Sequence, residues 1–147
     1  MKTLLSAIKT QLQTSLKDVR AADVFIVPHI NYLPGAARMP CVALKDGRIT
    51  RSELTGGAIA ETMWVAMAVY VNLRKEEASI MGDLSAGQKG VLELVSDIHT
   101  VLHQNMLAIP GMISAFCQDE QEAEMFGDDT AVVERKIINY QYDKESY

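Results

Sequence analysis

His99 and His103 stand four residues apart, a spacing at which two imidazoles on one helix can share a metal ion. Thr100 occupies the position that a catalytic glutamate takes in the HExxH motif, and the neighbouring Ile98 and Leu102 are apolar. Histidines at the border of a buried helix stripe commonly have no ligand. We therefore expect boundary histidines, with no metal ion and no cofactor.

The two cysteines, Cys41 and Cys117, each lie within an apolar segment, far apart in the chain. Neither belongs to a CxxC pair or to a Cys/His cluster with the spacing of metal ligands. This pattern predicts two buried free thiols in a protein of a reducing compartment.

Residues 82–90 contain the glycines and the lysine of a phosphate-binding loop, but in the wrong order. Such a loop places lysine directly after its second glycine and a hydroxyl residue next. Here Gln88 precedes Lys89, and Gly90 follows it. The segment is better interpreted as the entrance to a helix, with Ser85 and Gln88 forming a capping box.

Six carboxylates lie between residues 118 and 130, where they lack the rigid framework of a glycosidase pair and the closing glutamate of a calcium loop. They are Asp119, Glu120, Glu122, Glu124, Asp128 and Asp129. No GxSxG elbow is present, so nothing indicates a nucleophilic serine. The segment predicts a solvated or partner-binding loop, no catalytic residue is assigned, and the protein is not expected to be an enzyme.

Length and composition predict one domain over residues 1–147: 48% of the residues are hydrophobic and 22% are charged. The net charge is −5, but residues 1–60 carry 8 basic and 4 acidic side chains, against 6 and 15 in residues 61–147. An acidic chain without clustered Lys or Arg disfavours nucleic acid as the main partner. The longest apolar run, Met63–Val71, is too short to cross a membrane, and Lys9 interrupts any secretory signal.

Apolar residues recur at three- and four-residue steps in two segments, about 3–19 and 85–106, which predicts two amphipathic helices. Strands are predicted at 24–27, 40–44, 49–54, 62–73, 112–117 and 131–142. The Asp46-Gly47 pair predicts a hairpin turn. The 62–73 strand is apolar on both faces, and Trp64 is expected to be a packing residue.

The order of these elements predicts an α+β fold, with two amphipathic helices packed on one face of a mostly antiparallel mixed sheet. Within this order, the segments 37–44 (ARMPCVAL), 64–71 (WVAMAVYV) and 135–142 (RKIINYQY), after a leading helix with a Leu/Ile stripe, resemble tail terminator proteins of long-tailed bacteriophages and prophages. The resemblance covers nearly the whole chain.

The resemblance implies a non-enzymatic morphogenetic protein that forms a ring, expected to be a hexamer, on the last ring of the tail tube. Such a ring stops polymerisation of the tube and offers a docking surface to the head–tail connector or neck protein. The implied location is the tail–neck junction of a virion assembled in the bacterial cytoplasm.

Rings are built from heterologous contacts, in which one patch meets a different patch on the neighbour. We therefore expect the basic residues Lys45, Arg48 and Arg51 and the six acids of residues 118–130 to be exposed contact elements. Two alternatives remain open. One is another neck or tail-completion protein with a similar fold, and the other is a small cytosolic metal- or ligand-binding enzyme centred on His99 and His103.

Overall fold

The structure, a computed structural model, describes residues 1–73, 77–83, 85–127 and 132–147. Within these residues the chain forms three α-helices, α1 (Lys2–Ser15), α2 (Ala78–Met81) and α3 (Val91–Leu102). The strands are β1 (Val24–Ile26), β2 (Cys41–Glu53), β3 (Ile59–Asn72), β4 (Met112–Glu120), β5 (Glu124–Gly127) and β6 (Val132–Ser146). The predicted α+β class is confirmed.

The strands form one mixed sheet in the order β1-β2-β3-β6-β4, with β5 also paired to β6. Only the short β1 runs parallel to its neighbour, β2, whereas the other described pairs are antiparallel. The central strand, β3, has β2 on one side and β6 on the other along almost its whole length. This is the mostly antiparallel mixed sheet that the sequence predicts.

Helices α1 and α3 bury their apolar stripes against one face of this sheet. The stripe of α1 is Leu4, Leu5, Ile8 and Leu12, and that of α3 is Val91, Leu94, Val95, Ile98 and Leu102. These side chains share one core with alternate residues of β3 from Met63 to Val71. Each fully buried aliphatic side chain contributes about 1.5–3 kcal/mol, so this layer holds the fold together. None of the described helices is long and apolar enough to span a membrane.

Among the described residues, apolar packing on the opposite face of the sheet is confined to one end. There the loop of residues 28–40 folds over a smaller apolar cluster that includes Ala43, Ala68 and Tyr70. Further along β3 on the same face, Trp64 is only half-buried. The prediction of two apolar faces therefore holds for one end of β3, and Trp64 is not the core residue that the sequence suggested.

The predicted hairpin at Asp46-Gly47 is wrong, because β2 continues through this pair with a bulge between Asp46 and Ile49. A Cβ atom on Gly47 would lie 2.5 Å from the carbonyl oxygen of Trp64, so the glycine serves close strand approach rather than a turn. The chain reverses later, between Leu54 and Ala58, where the Leu54 N–H donates to the Ala58 carbonyl at 2.7 Å.

The second predicted helix begins later and ends earlier than expected. Gly90 is its N-cap residue, and the Gly90 N–H donates to the Glu93 carboxylate at 3.3 Å. Ser85 does not cap the helix, because its hydroxyl donates to Asp83 Oδ1 at 2.6 Å. The Ser85 hydroxyl is already hydrogen-bonded within its own turn, so it is not available to cap the helix, which begins after Gly90.

The predicted acidic loop is also wrong in its boundaries. Asp119 and Glu120 belong to β4, and Glu124 begins β5. Only residues 121–123 link these strands, while Asp128 and Asp129 lie outside the described residues. A run of six acids indicates exposure to solvent, which the sequence analysis interpreted as a loop. A strand at the edge of a sheet can also expose charged side chains to solvent, so the charge pattern does not distinguish the two.

Candidate assembly surface

The basic residues predicted as contact elements lie along one edge of the sheet. The short β1 pairs only with Val42–Leu44, so residues 45–53 of β2 have no described strand on their outer side. Arg48 and Arg51 are exposed there, and Lys45 is half-buried. An edge of this kind presents unpaired backbone groups, and charged side chains on it control which chains can pair with it.

Two of these three cations form ion pairs within the chain, and the third, Arg48, lies over the ring of Trp64. Lys45 forms an ion pair with its neighbour Asp46. The Arg51 Nε lies 2.6 Å from Glu61 Oε2 across the β2–β3 ladder, although 59% of the Arg51 side chain remains exposed. Exposed pairs contribute at most about 1 kcal/mol, so they orient these side chains without making them unavailable to a partner.

Three of the six predicted acidic residues, Asp119, Glu120 and Glu122, lie at the opposite edge of the same sheet, on and after β4. Asp119 accepts a hydrogen bond from Asn139 Nδ2 at 2.7 Å. Glu120 lies 3.3 Å from His99 Nε2 and 3.8 Å from Lys136 Nζ. Glu122, in the link that follows, is exposed. The sheet therefore carries the predicted cations on one edge and three of the predicted acids on the other.

Glu124 has a structural partner that the sequence did not indicate, the buried Arg135. Only 6% of Arg135 is exposed, and its Nη1 donates to Asn31 Oδ1 at 2.7 Å. Its guanidinium carbon lies 4.0 Å from the centre of the Phe126 ring. This one side chain joins β5 and β6 to the loop that covers the smaller apolar cluster, so Glu124 acts mainly as an anchor within the subunit.

Lys89, the lysine of the imperfect phosphate loop, is engaged with two carboxylates. Its Nζ lies 2.6 Å from Asp97 Oδ2 on α3 and 3.1 Å from Asp18 Oδ2, just after α1. Hydrogen bonds to Asp97 and Asp18 raise the pKa of Lys89. It also lines a cavity of about 140 Å³ that contains Asp18 and Asp83. Asp18 and Asp83, the two acids that line this cavity, disfavour the binding of a phosphate.

The two histidines have different surroundings. His103 is exposed just after α3, whereas His99 Nδ1 lies 2.5 Å from the buried Tyr140 hydroxyl. His99 Nε2 faces Glu120, and Cys117 lies beside this pair. Burial raises the pKa of the Cys117 thiol to about 11, so it is protonated and a poor nucleophile at neutral pH.

Comparison with known proteins gives a likeness in structure alone. No protein-family model matches the chain, and no curated protein matches its sequence. Among solved structures, a chain from the virion of a native gene transfer agent particle superposes with a TM-score of 0.62 at 14% sequence identity. The match covers 97% of this chain and 95% of that chain. At this identity the likeness establishes a shared fold.

Proposed function

We propose that this protein is a structural component of a phage-like particle, and specifically a tail terminator. The observation that carries the proposal is the end-to-end likeness in fold to a chain of a gene transfer agent virion. The same class of protein is implied by the order and character of the sequence segments. In this proposal the protein works through its surfaces and catalyses no reaction.

Copies of the chain would assemble head to tail into a closed ring, expected to be a hexamer. Such a ring needs two different patches that meet on neighbouring subunits. The two candidate patches lie at opposite edges of one sheet. The β2 edge carries Arg48 and Arg51, and the β4 edge carries Asp119 and Glu122. This placement supports a contact between the β2 edge of one subunit and the β4 edge of the next.

The charge difference between these edges is suited to setting the register of the contact. The β2 edge also carries the exposed acids Asp46 and Glu53, so it is only mildly basic. Complementary charges of this size speed encounter and exclude wrong pairings more than they increase affinity. Most of the binding free energy in the ring would then come from backbone pairing and apolar contacts along the edges.

One face of the ring would cap the last ring of the tail tube and stop its growth, and the other would receive the head–tail connector. The protein would thus act at the tail–neck junction. The alternative to a tail terminator is a different neck or tail-completion protein with the same fold. The two kinds of protein differ in their binding partners. A terminator binds the tube end first, whereas a neck adaptor binds the connector in the absence of a tube.

The test combines mass measurement with negative-stain microscopy of the purified protein, alone and mixed with tail tubes. We expect rings of one stoichiometry that decorate one end of each tube and prevent further addition of tube subunits. Rings that leave tubes bare but bind purified connector would favour the neck adaptor. A monomer that decorates neither tube nor connector would refute both forms of the proposal.

A further inference from the structure

A histidine, a cysteine and a glutamate meet near the acidic edge of the sheet. The ligand atoms of His99, Cys117 and Glu120 all lie within 4.8 Å of one another. His99 stands in the last turn of α3, and the other two are on β4. Nitrogen, sulfur and oxygen ligands in one cluster are typical of zinc and similar divalent transition metals.

A bulge in β4 explains why Cys117 and Glu120 face the same side. Residues three apart on a regular strand point to opposite faces. Here the register shifts between Cys117 and Asp119, so Cys117 is opposite Tyr140 and Glu120 is opposite Ile138. Both of these partners belong to the helix-side core. Bulges often re-aim side chains in this way next to functional sites.

The hydrogen bond of His99 to Tyr140 orients the imidazole toward the cluster. With the proton on Nδ1, the ring donates to the Tyr140 hydroxyl oxygen at 2.5 Å and leaves the Nε2 lone pair free to bind a metal. Metal-bound histidines almost always have a partner of this kind on their second nitrogen. Tyr140 is fully buried, so the orientation of the imidazole is held by the core.

Glu120 is the third candidate ligand and lies on the solvent-exposed side of the cluster. Its Oε2 lies 3.3 Å from His99 Nε2, while its Oε1 is directed to Lys136 at 3.8 Å. The Glu120 side chain is 41% exposed, which gives an ion a path of entry. The ligands of a tetrahedral zinc site are roughly 3.5 Å apart, so small side-chain movements would bring the three atoms to bonding distance.

We propose that His99, Cys117 and Glu120 bind one zinc-like divalent metal ion, with solvent in the fourth position. The Cys117 thiol donates to the Asp119 carbonyl at 3.3 Å, and it would release its proton to solvent as the ion binds. The ion would fasten the end of α3 to β4, next to the edge that carries Asp119 and Glu122. This site differs from the histidine pair that the sequence suggested, because His103 takes no part in it. It is also independent of the tail function, since it needs only the isolated chain.

The test is titration of the purified protein with cobalt(II), followed by competition with zinc. We expect one cobalt per chain, with a thiolate-to-cobalt charge-transfer absorption that zinc abolishes. Cys117→Ser should remove this absorption, and His99→Gln should weaken binding by about tenfold or more. His103→Gln, on the exposed residue just after the same helix, is the matched control and should bind as the parent does.

Glu120→Gln keeps the test decisive if the variants at the partly buried ligands fail to fold. Glu120 is exposed, so this variant should fold normally and bind cobalt at least about tenfold more weakly. Glu122→Gln, two residues further along the chain, should have no effect. Binding that survives Cys117→Ser with unchanged absorption, binding that is lost with His103→Gln, or no binding at all would overturn the proposal and leave His99 and Glu120 as a polar side-chain contact.

Discussion

The guanidinium carbon of Arg48 lies 4.5 Å from the centre of the Trp64 ring, on the sheet face opposite the helices. The two residues meet because the bulge between Asp46 and Ile49 turns Arg48 over the neighbouring strand. Gly47 permits this bulge, since its backbone passes close to the carbonyl of Trp64. A cation over an exposed indole contributes about 0.5–1 kcal/mol, so its main effect is to fix where the Arg48 charge lies.

Replacement of Gly47 by alanine should destabilise the protein. The new Cβ would lie 2.5 Å from the carbonyl oxygen and 3.0 Å from the carbonyl carbon of Trp64, and these backbone atoms cannot rotate aside as the end of a side chain can. We expect a loss of about 1–3 kcal/mol in the free energy of unfolding, measured by urea denaturation, together with a change in Trp64 fluorescence.

Gly35→Ala is the matched control, because a Cβ at Gly35 has no atom within 4 Å among the described residues. It should be neutral or stabilise the protein by a few tenths of a kcal/mol. Equal losses in the two variants would show that Gly47 is not specifically required by the bulge.

The main helices and strands could be predicted from the sequence, but the way in which the chain connects and pairs the strands could not. The helix stripes around Ile8 and Ile98 and the apolar strand around Val69 follow from periodicity alone, since burial of those side chains decides their structure. The bulge at Gly47 could not be predicted, because a glycine that allows close strand approach looks the same in sequence as one that makes a turn. Only the pairing with β3 distinguishes them.

The sequence indicates which charged residues could form a contact surface, but it does not indicate where the fold places them. The basic segment does lie at a sheet edge, whereas Glu124 proved to be bound to Arg135, over ten residues away. The cluster of His99 with Cys117 and Glu120 joins a helix to a strand and depends on a β-bulge, so no local spacing reveals it. Contacts between distant segments require the register of the sheet, which the sequence pattern leaves open.

Arg135 should be required for the loop of residues 28–40 and for β5 to remain ordered. Arg135→Ala removes hydrogen bonds to Asn31 and Glu124 and the stacking on Phe126, with an expected cost of about 1–3 kcal/mol. Hydrogen exchange should then increase in residues 28–40 and 124–127, and less so in α3.

Arg135→Lys should not restore protection, because an ammonium group lacks the planar fork that contacts both partners and the ring. Full rescue by lysine would mean that charge alone is needed at this position. Protection lost equally throughout α3 would instead indicate global unfolding rather than release of the loop.

The buried Asp23 should make stability depend on pH in the acidic range. The Arg20 guanidinium, at 2.6 Å, and the Arg38 N–H, at 3.0 Å, stabilise the carboxylate and lower its pKa below the ordinary 3.8. The contribution of these bonds is therefore complete above pH 3.8 and is lost as the pH falls through the lower, folded-state pKa.

Asp23→Asn should reduce the free energy of unfolding by about 1–3 kcal/mol at neutral pH, measured by urea denaturation. The difference from the parent should shrink as the pH falls below the ordinary value of 3.8. Glu122→Gln, which alters an exposed acid, should cost little at neutral pH. A difference between parent and Asp23→Asn that stays constant with pH would contradict the assigned ionised state.

Charge reversal on the β2 edge should weaken the proposed ring. Arg48→Glu with Arg51→Glu would place acids opposite Asp119 and Glu122 of the next subunit, and like charges across an interface are strongly unfavourable. We expect the dissociation constant of the ring to rise about tenfold or more, most visibly at low salt, where screening is weakest. Light scattering at several salt concentrations measures the change.

Two further variants separate assembly from folding. Lys2→Glu with Lys17→Glu changes the net charge equally at exposed positions on and just after α1, and should leave the ring intact. Arg51→Glu with Glu61→Arg keeps the ion pair within the subunit while it reverses the charge on β2, so it should weaken the ring without loss of stability. If the two reversed-edge variants assemble as well as the parent at low salt, the β2 edge does not form the contact and the ring must close through another surface.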